Sequence, residues 1–345
     1  GIVKAGLMKD LFSAMDNTGL RYVLYDGTVP NPTINNIEEA AKLYVDNNCD
    51  CLIAFGGGTA IDCAKGVGAR IARPNKSLQK MKGVLKVRKQ IPPLFAVPTT
   101  AGTGSEATLA AVVTDSSTHD KYAINDISLI PHYAVHDPLL TLGLPPMITA
   151  TTGMDALTHA VEAYIGRSNT YETKLLAKQA VEIIFQNIEK AYYNGMNLDA
   201  RFNMLKASYY AGLAFTRAYV GNVHAIAHTF GGFYGVPHGL ANAVILPYVL
   251  DYYGKRAQKK LAELADLVGI QGIDASEKTR EFIRQIRELN KRMNIPDKIS
   301  ISNADHLDEM VERAYHEANP LYPVPKIFSR DDFRNVFKQV ISEVK

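Results

Sequence analysis

The chain has 345 residues, 47% of them apolar, with 38 basic and 35 acidic side chains and a net charge of +3. That length suits two domains with real cores, the composition is that of a soluble globular protein, and so small a charge argues against a nucleic-acid partner. No apolar run reaches the roughly 20 residues that span a bilayer, no signal peptide is visible, and Cys49, Cys51 and Cys63 form no CxxC pair, which points to inert thiols in a reducing cytoplasm.

In chain order, Arg21–Tyr25 (RYVLY) predicts a strand, Ile37–Asn47 an amphipathic helix and Cys51–Phe55 a strand that runs into Gly56, Gly57 and Gly58. Ala60–Ile71 reads as a helix and Leu94–Val97 as another strand. This β–α–β–α rhythm predicts a parallel sheet with helices on both faces. Lys80–Lys89 is basic but interrupted by apolar residues, so it reads as a solvated surface segment. Ala110–Thr114 and Lys121–Ile124 read as a pair of short strands.

Three polar segments follow the predicted strands. FGGGTAIDCAKG, Phe55–Gly66, exposes backbone N–H groups at a helix start and suits a pyrophosphate or a simple tight turn. It lacks the third glycine of G-x-G-x-x-G, having Ile61 there, and has no P-loop lysine. Pro98–Glu106 (PTTAGTGSE) adds hydroxyls and glycines suited to a ribose or phosphate; a glycine-rich loop capped by Ser105 is the plainer alternative. Both sit where ligands bind in open α/β sheets, outside the carboxyl ends of strands. Asp26, in YDGTVPNPT, would end its strand where a carboxylate can accept from an adenosine ribose, or else simply form a turn.

After about Pro146 the rhythm changes. Helical periodicity runs through Thr152–Ile165, Thr173–Tyr192, Asp199–Ala218, Arg256–Leu267, Glu277–Met293, Asp305–Ala318 and Arg330–Val344, and strand signals nearly vanish. Pro145-Pro146 divides an α/β half, residues 1–146, from an all-helical half, residues 147–345. In that second half Asp155 and His159 are four apart, as are His224 and His228, so each pair shares a helix face. Gly231, Gly232, Gly235 and Pro237 break the helix, and His238 can then fold back onto the same place. A carboxylate and imidazoles converging from two elements predict a divalent transition-metal site. The plainer alternative is a set of packed histidines, which would be costly to bury without a shared partner.

Together YDGTVPNPT, FGGGTAIDCAKG, PTTAGTGSEAT, Asp137–Pro138, GMDALTHAVEAY and HAIAHTFGGFYGVPHGLANAVILP resemble the iron-containing (group III) alcohol dehydrogenase family over about residues 24–252, nearest its lactaldehyde reductase and propanediol or butanol dehydrogenase branch. The resemblance implies an N-terminal dinucleotide-binding α/β domain with a parallel sheet and an all-α C-terminal domain. It implies metal ligands Asp155, His159, His224 and His238, with His228 lining the substrate pocket near the nicotinamide without ligating. Asp26, Gly57, Gly58, Thr59, Thr99, Thr100, Thr103 and Lys121 would contact the dinucleotide. Against the family pattern, Thr59 replaces a serine and the first strand is missing ahead of Gly1; LYPVP after Asn319-Pro320 also departs from it.

The implied reaction is reversible hydride transfer between a small primary alcohol or diol and NAD in a cytoplasmic homodimer or larger homo-oligomer. A divalent ion with an open position acts as a Lewis acid on an alcohol hydroxyl or aldehyde carbonyl. The donor set suits Fe²⁺ and accepts Zn²⁺; the related zinc-dependent glycerol dehydrogenases lack a counterpart of His159, which favours iron. His228 would relay the alcohol proton to solvent. Asp26 would disfavour a 2′-phosphate, with only Lys4 or Arg21 able to compensate from outside the motif. A zinc polyol oxidoreductase, a metal-dependent hydrolase and a non-catalytic scaffold are the rival readings; the hydrolase would leave both glycine loops unexplained.

Overall fold

The computed structural model describes residues 2, 3, 5–117 and 120–343. The chain divides into two compact units: Gly1–Thr100 with Ser105–Thr141, and Ala101–Gly104 with Leu142–Lys345.

The first unit runs α1 (Lys9–Asn17), α2 (Ile34–Asp46), β1 (Leu52–Gly56), α3 (Gly58–Ala72), β2 (Gly83–Val84), β3 (Leu94–Pro98), β4 (Ala110–Asp115), β5 (Asp120–Asn125) and β6 (Tyr133–Ala134). β1, β3 and β6 form a parallel sheet in that order, with Phe55 opposite Val97 and Phe95 opposite Tyr133. β2, β5 and β4 form a second sheet, in which β2 and β5 are parallel and β4 and β5 antiparallel. The predicted pair of short strands is therefore the β4–β5 hairpin. Ile37, Ile61, Leu94, Val113 and Ile124 lie in the fully buried core of this unit.

Thr33 starts α2 with a capping box: its hydroxyl accepts from the Asn36 N–H while the Asn36 side chain accepts from the Thr33 N–H. α3 begins differently. Its N-cap is Gly57, no side chain caps it, and within its first turn the Ala60 N–H turns back to the Gly57 carbonyl at 3.0 Å.

The Arg21–Tyr25 strand expected from sequence is absent: residues 20–29 are irregular. A strand exists only in a ladder, and no described strand pairs with this segment. Tyr22, Val23 and Leu24 stay 40–41% exposed. α2 side chains anchor the segment instead. Tyr25 donates to Glu39 at 2.7 Å, and Asn36 Nδ2 donates to the Gly27 carbonyl at 3.1 Å.

The second unit is helical: α4 (Pro146–Ile165), α5 (Tyr171–Tyr193), α6 (Leu198–Ala218), α7 (Asn222–Tyr234), α8 (His238–Tyr253), α9 (Gln258–Leu267), α10 (Ala275–Arg292), α11 (Leu307–Ala318) and α12 (Arg330–Val340). One small parallel pair departs from the all-helical expectation, β7 (Ile299–Ile301) with β8 (Ile341–Glu343). The last helix thus stops at Val340, not Val344, and Val344 lies outside the described residues. α1 and α8 were not anticipated. α8 carries Pro247 in its interior and is apolar on all sides, which hides the periodicity that marks a helix in sequence.

α4 lies at the centre of this unit. From Thr149 to Ile165 all its residues except Thr152 are buried. A helix buried on every side has no solvated face. Its polar residues Asp155, His159 and Glu162 are consequently desolvated, and each needs a partner.

Candidate metal centre

Asp155, His159 and Glu162 follow an i, i+4, i+7 spacing, which puts all three on one face of α4. α7 supplies His224 from its first turn. Gly235 then ends α7 in the left-handed conformation, φ 64°, which a residue without Cβ adopts freely. Pro237 turns the chain into α8, whose first residue is His238. Gly239 allows α8 to approach α4: a Cβ there would come within 2.5 Å of the Thr151 carbonyl oxygen. These two glycines explain in local terms how His238 returns to the α4 face.

The result is a cluster in which Asp155, His159, His224 and His238 each offer one ligand atom, all within 4.8 Å of one another. Asp155 and His224 are 2% exposed and His159 5%. The His159 ring stacks on His224 with centroids 4.5 Å apart, and on Phe215 at 4.1 Å on its other side. His238 Nε2 is 3.5 Å from Asp155 Oδ1.

The donor set fits a divalent transition metal. Three imidazoles and one carboxylate form an N₃O set suited to Fe²⁺ and acceptable to Zn²⁺. A second observation agrees: the Asn242 amide donates into the middle of the cluster. Its Nδ2 lies 2.6 Å from Asp155 Oδ1, 3.1 Å from His238 Nε2 and 3.2 Å from His224 Nε2. Three lone pairs thus converge on one electropositive group. His159 Nδ1 and Asn242 Oδ1 are buried and have no hydrogen-bond partner among the described residues, orphans of the kind that coordination and a rotated amide would satisfy.

Glu162 orients the site from behind. His224 Nδ1–H donates to Glu162 Oε2 at 2.6 Å, while the N–H groups of Gly221 and Val223 donate to the same carboxylate at 2.7 and 2.8 Å. Holding the proton on Nδ1 leaves the Nε2 lone pair of His224 for the cluster. Burial holds the His224 pKa well below the ordinary imidazole value, and the other three histidines add to that effect. Burial likewise lowers His159, opposed by Asp155. Burial raises Glu162, and the N–H groups of Val223, Gly221 and His224 that point at it oppose that rise by favouring the carboxylate.

His228 stands beside the cluster and is not one of its four converging groups. Its ring stacks at 5.2 Å on His238, and its Nδ1 is 2.6 Å from Glu317 Oε1, which also accepts from the Tyr322 hydroxyl at 2.7 Å. His228 is partly open to solvent, its side chain 40% exposed.

Sequence reasoning missed Glu162, Asn242 and Glu317. The first two carried a signal, since Glu162 lies three residues after His159 and Asn242 four after His238 on helix faces already singled out. Glu317 carried none, being 89 residues from its partner.

The expected dinucleotide residues fall mainly in the first unit. Gly57, Gly58 and Thr59 form the uncapped start of α3, after β1. Thr99 and Thr100 follow the adjacent parallel strand β3, and the Thr99 N–H donates to the Gly56 carbonyl at 3.0 Å. The two polar loops therefore leave neighbouring strands at the same end. Thr103 groups with the helical unit. Lys121 lies on β5, its Nζ donating to Asn31 at 2.7 Å. Asp26 is exposed on the irregular segment, with Arg21 also exposed; Lys4 lies outside the described residues.

Residues 1–138 match the family model described as iron-containing alcohol dehydrogenase, and residues 149–341 the one described as Fe-containing alcohol dehydrogenase family, C-terminal. Alcohol dehydrogenase 4 of Schizosaccharomyces pombe is 37% identical, over 99% of this chain and 80% of its own. The 1,3-propanediol dehydrogenase of Klebsiella pneumoniae is 36% identical, over 98% and 88%. The solved structure of the alcohol dehydrogenase from Oenococcus oeni superposes with a TM-score of 0.92 at 34% identity, covering 98% of this chain and 88% of that one.

Proposed function

From the premise that this chain belongs to the iron-containing alcohol dehydrogenase family and is a metal-dependent alcohol dehydrogenase, we propose that it moves a hydride reversibly between a small primary alcohol or diol and NAD. The observation that carries the reading is the convergence of Asp155, His159, His224 and His238 on one point inside a helical core. In this reading those four residues hold Fe²⁺, with Zn²⁺ the alternative occupant. The bound ion supplies Lewis acidity toward the alcohol hydroxyl or aldehyde carbonyl.

The chain's own residues do the rest. Glu162 fixes the tautomer and ring plane of His224. His228 holds and passes the alcohol proton, and Glu317 keeps its Nδ1 occupied so that Nε2 is the exchanging atom. Gly57, Gly58 and Thr59 offer N–H groups to the pyrophosphate of NAD, with Thr99, Thr100, Thr103 and Lys121 as further contacts. Asp26 accepts from the adenosine 2′-hydroxyl and so sets the choice of NAD over NADP. A cytoplasmic homo-oligomer belongs to the same proposal. The three free cysteines suit a reducing compartment, and among the described residues no helix is long and apolar enough to cross a membrane.

The test is absorbance at 340 nm with metal-reconstituted enzyme, NAD and a panel of short primary alcohols and diols. NADH formation with at least one of them, lost on chelation and restored by Fe²⁺, is the expected result. Full activity after the metal is stripped would overturn the metal assignment, and inactivity with every alcohol and aldehyde tried would overturn the substrate class.

A further inference from the structure

A lysine sits where an apolar residue would be expected. Lys65, on the inner face of α3, is fully buried, 0% exposed. Placing an ammonium there is costly unless its hydrogens are well satisfied. Lys65 Nζ donates to the carbonyls of Thr108 and Ala110, both at 2.8 Å, to Thr108 Oγ1 at 3.0 Å and to Ser105 Oγ at 3.1 Å. All four acceptors belong to one short stretch, the one that leaves the PTTAGTGSE loop and enters β4. Asp62, one turn earlier on α3, grips the same stretch: Ser105 Oγ donates to its Oδ1 at 2.7 Å and the Val112 N–H to its Oδ2 at 3.3 Å. Burial pulls Lys65 down to about 8, opposed by the charges of Asp62 and Glu106.

The same loop is fixed at its other end, where the Thr99 N–H donates to the Gly56 carbonyl. Its two ends therefore rest on the two elements that frame the first glycine turn, β1 and α3. The ammonium takes main-chain carbonyls and hydroxyls as acceptors and, among the described residues, has no carboxylate within ion-pair distance. Its bonds tie α3 directly to the backbone and hydroxyls of Ser105, Thr108 and Ala110. We propose that Lys65 is a positioning residue for the dinucleotide: with Asp62 it sets the Ser105 end of the second loop relative to the uncapped start of α3. This rests on the reading that these loops hold NAD.

The test compares metal-loaded wild type with Lys65→Met, Ser105→Ala, Thr108→Val and Thr108→Ser. NAD binding is read by titration calorimetry, alongside KM for NAD, KM for the alcohol, kcat, metal content and Tm. Lys65→Met should weaken NAD binding at least tenfold and raise KM for NAD in parallel, with kcat at saturating NAD falling less than threefold and metal content unchanged. Ser105→Ala and Thr108→Val should weaken NAD binding about threefold, and Thr108→Ser, which keeps the hydroxyl, should bind as wild type. If Lys65→Met does not fold, the Ser105 and Thr108 variants decide alone. NAD affinity unchanged across all the folded variants would overturn the proposal. So would a uniform loss of NAD affinity, alcohol affinity, kcat and Tm, which is what simple core damage produces. A wild-type protein that binds no NAD would instead refute the dinucleotide reading on which the proposal rests.

Discussion

The metal cluster and the dinucleotide loops are built by opposite means. In the helical unit the proposed site consists of side chains on helices, most of them gripped by a neighbour: His224 by Glu162, His228 by Glu317, and Asp155 by Asn242. In the α/β unit the proposed dinucleotide site rests largely on backbone N–H groups at the start of α3 and on loops leaving β1 and β3, while Asp26 is exposed on a segment with no regular structure. Removing a side chain from the first kind of site leaves a buried partner unsatisfied, which costs several kcal/mol. Removing the exposed Asp26 from the second leaves only a solvated gap and costs little. Mutational effects should therefore fall steeply from one region to the other.

The largest effect belongs to His224, which touches both the cluster and Glu162. His224→Ala should bind no stoichiometric metal and show no measurable turnover, as read by metal analysis and the 340 nm assay. Full metal content in that variant would remove His224 from the ligand set. Next comes His228→Ala, which should keep its metal yet lose on the order of 10²-fold in turnover, the usual worth of a positioned proton-transfer group. Loss of the metal in that variant would make His228 a ligand.

Glu162→Gln comes third. It keeps the shape but weakens the acceptor behind His224, so metal affinity by chelator competition should drop about 10- to 100-fold, as for other partners of metal-bound histidines. An unchanged affinity would mean that the carboxylate serves only the N–H groups of Gly221 and Val223. The smallest effect is expected at Asp26. A 2′-phosphate carries nearly two charges, so beside the Asp26 carboxylate it meets a repulsion of roughly 1.4 kcal/mol or more even in water-like surroundings, and kcat/KM should favour NAD over NADP by at least about tenfold. Asp26→Gly should narrow or reverse that ratio. If the ratio does not move, or if Asp26→Gly proves as damaging as His224→Ala, the contrast between the two regions fails.

The same contrast governs what could be read in advance. By itself the sequence determined the later alternation of α2, β1, α3 and β3, the long helical second half and the face-sharing pairs Asp155–His159 and His224–His228, because helix periodicity acts over a few residues; that His238 and not His228 joins the ligand set was implied by the family resemblance alone. Glu162 and Asn242 obey that periodicity too and were within its reach. Tertiary structure alone decided the rest. Arg21–Tyr25 has strand composition but stays irregular, because a strand needs a neighbour and composition cannot supply one. Ile299–Ile301 and Ile341–Glu343 pair across some forty residues, although the second reads as the end of a helix. Glu317 reaches His228 from 89 residues away, and Lys65 reaches Ser105 from 40. Contacts of that span leave no local pattern, since what satisfies a buried imidazole or ammonium is whichever acceptor the packing brings within 3 Å.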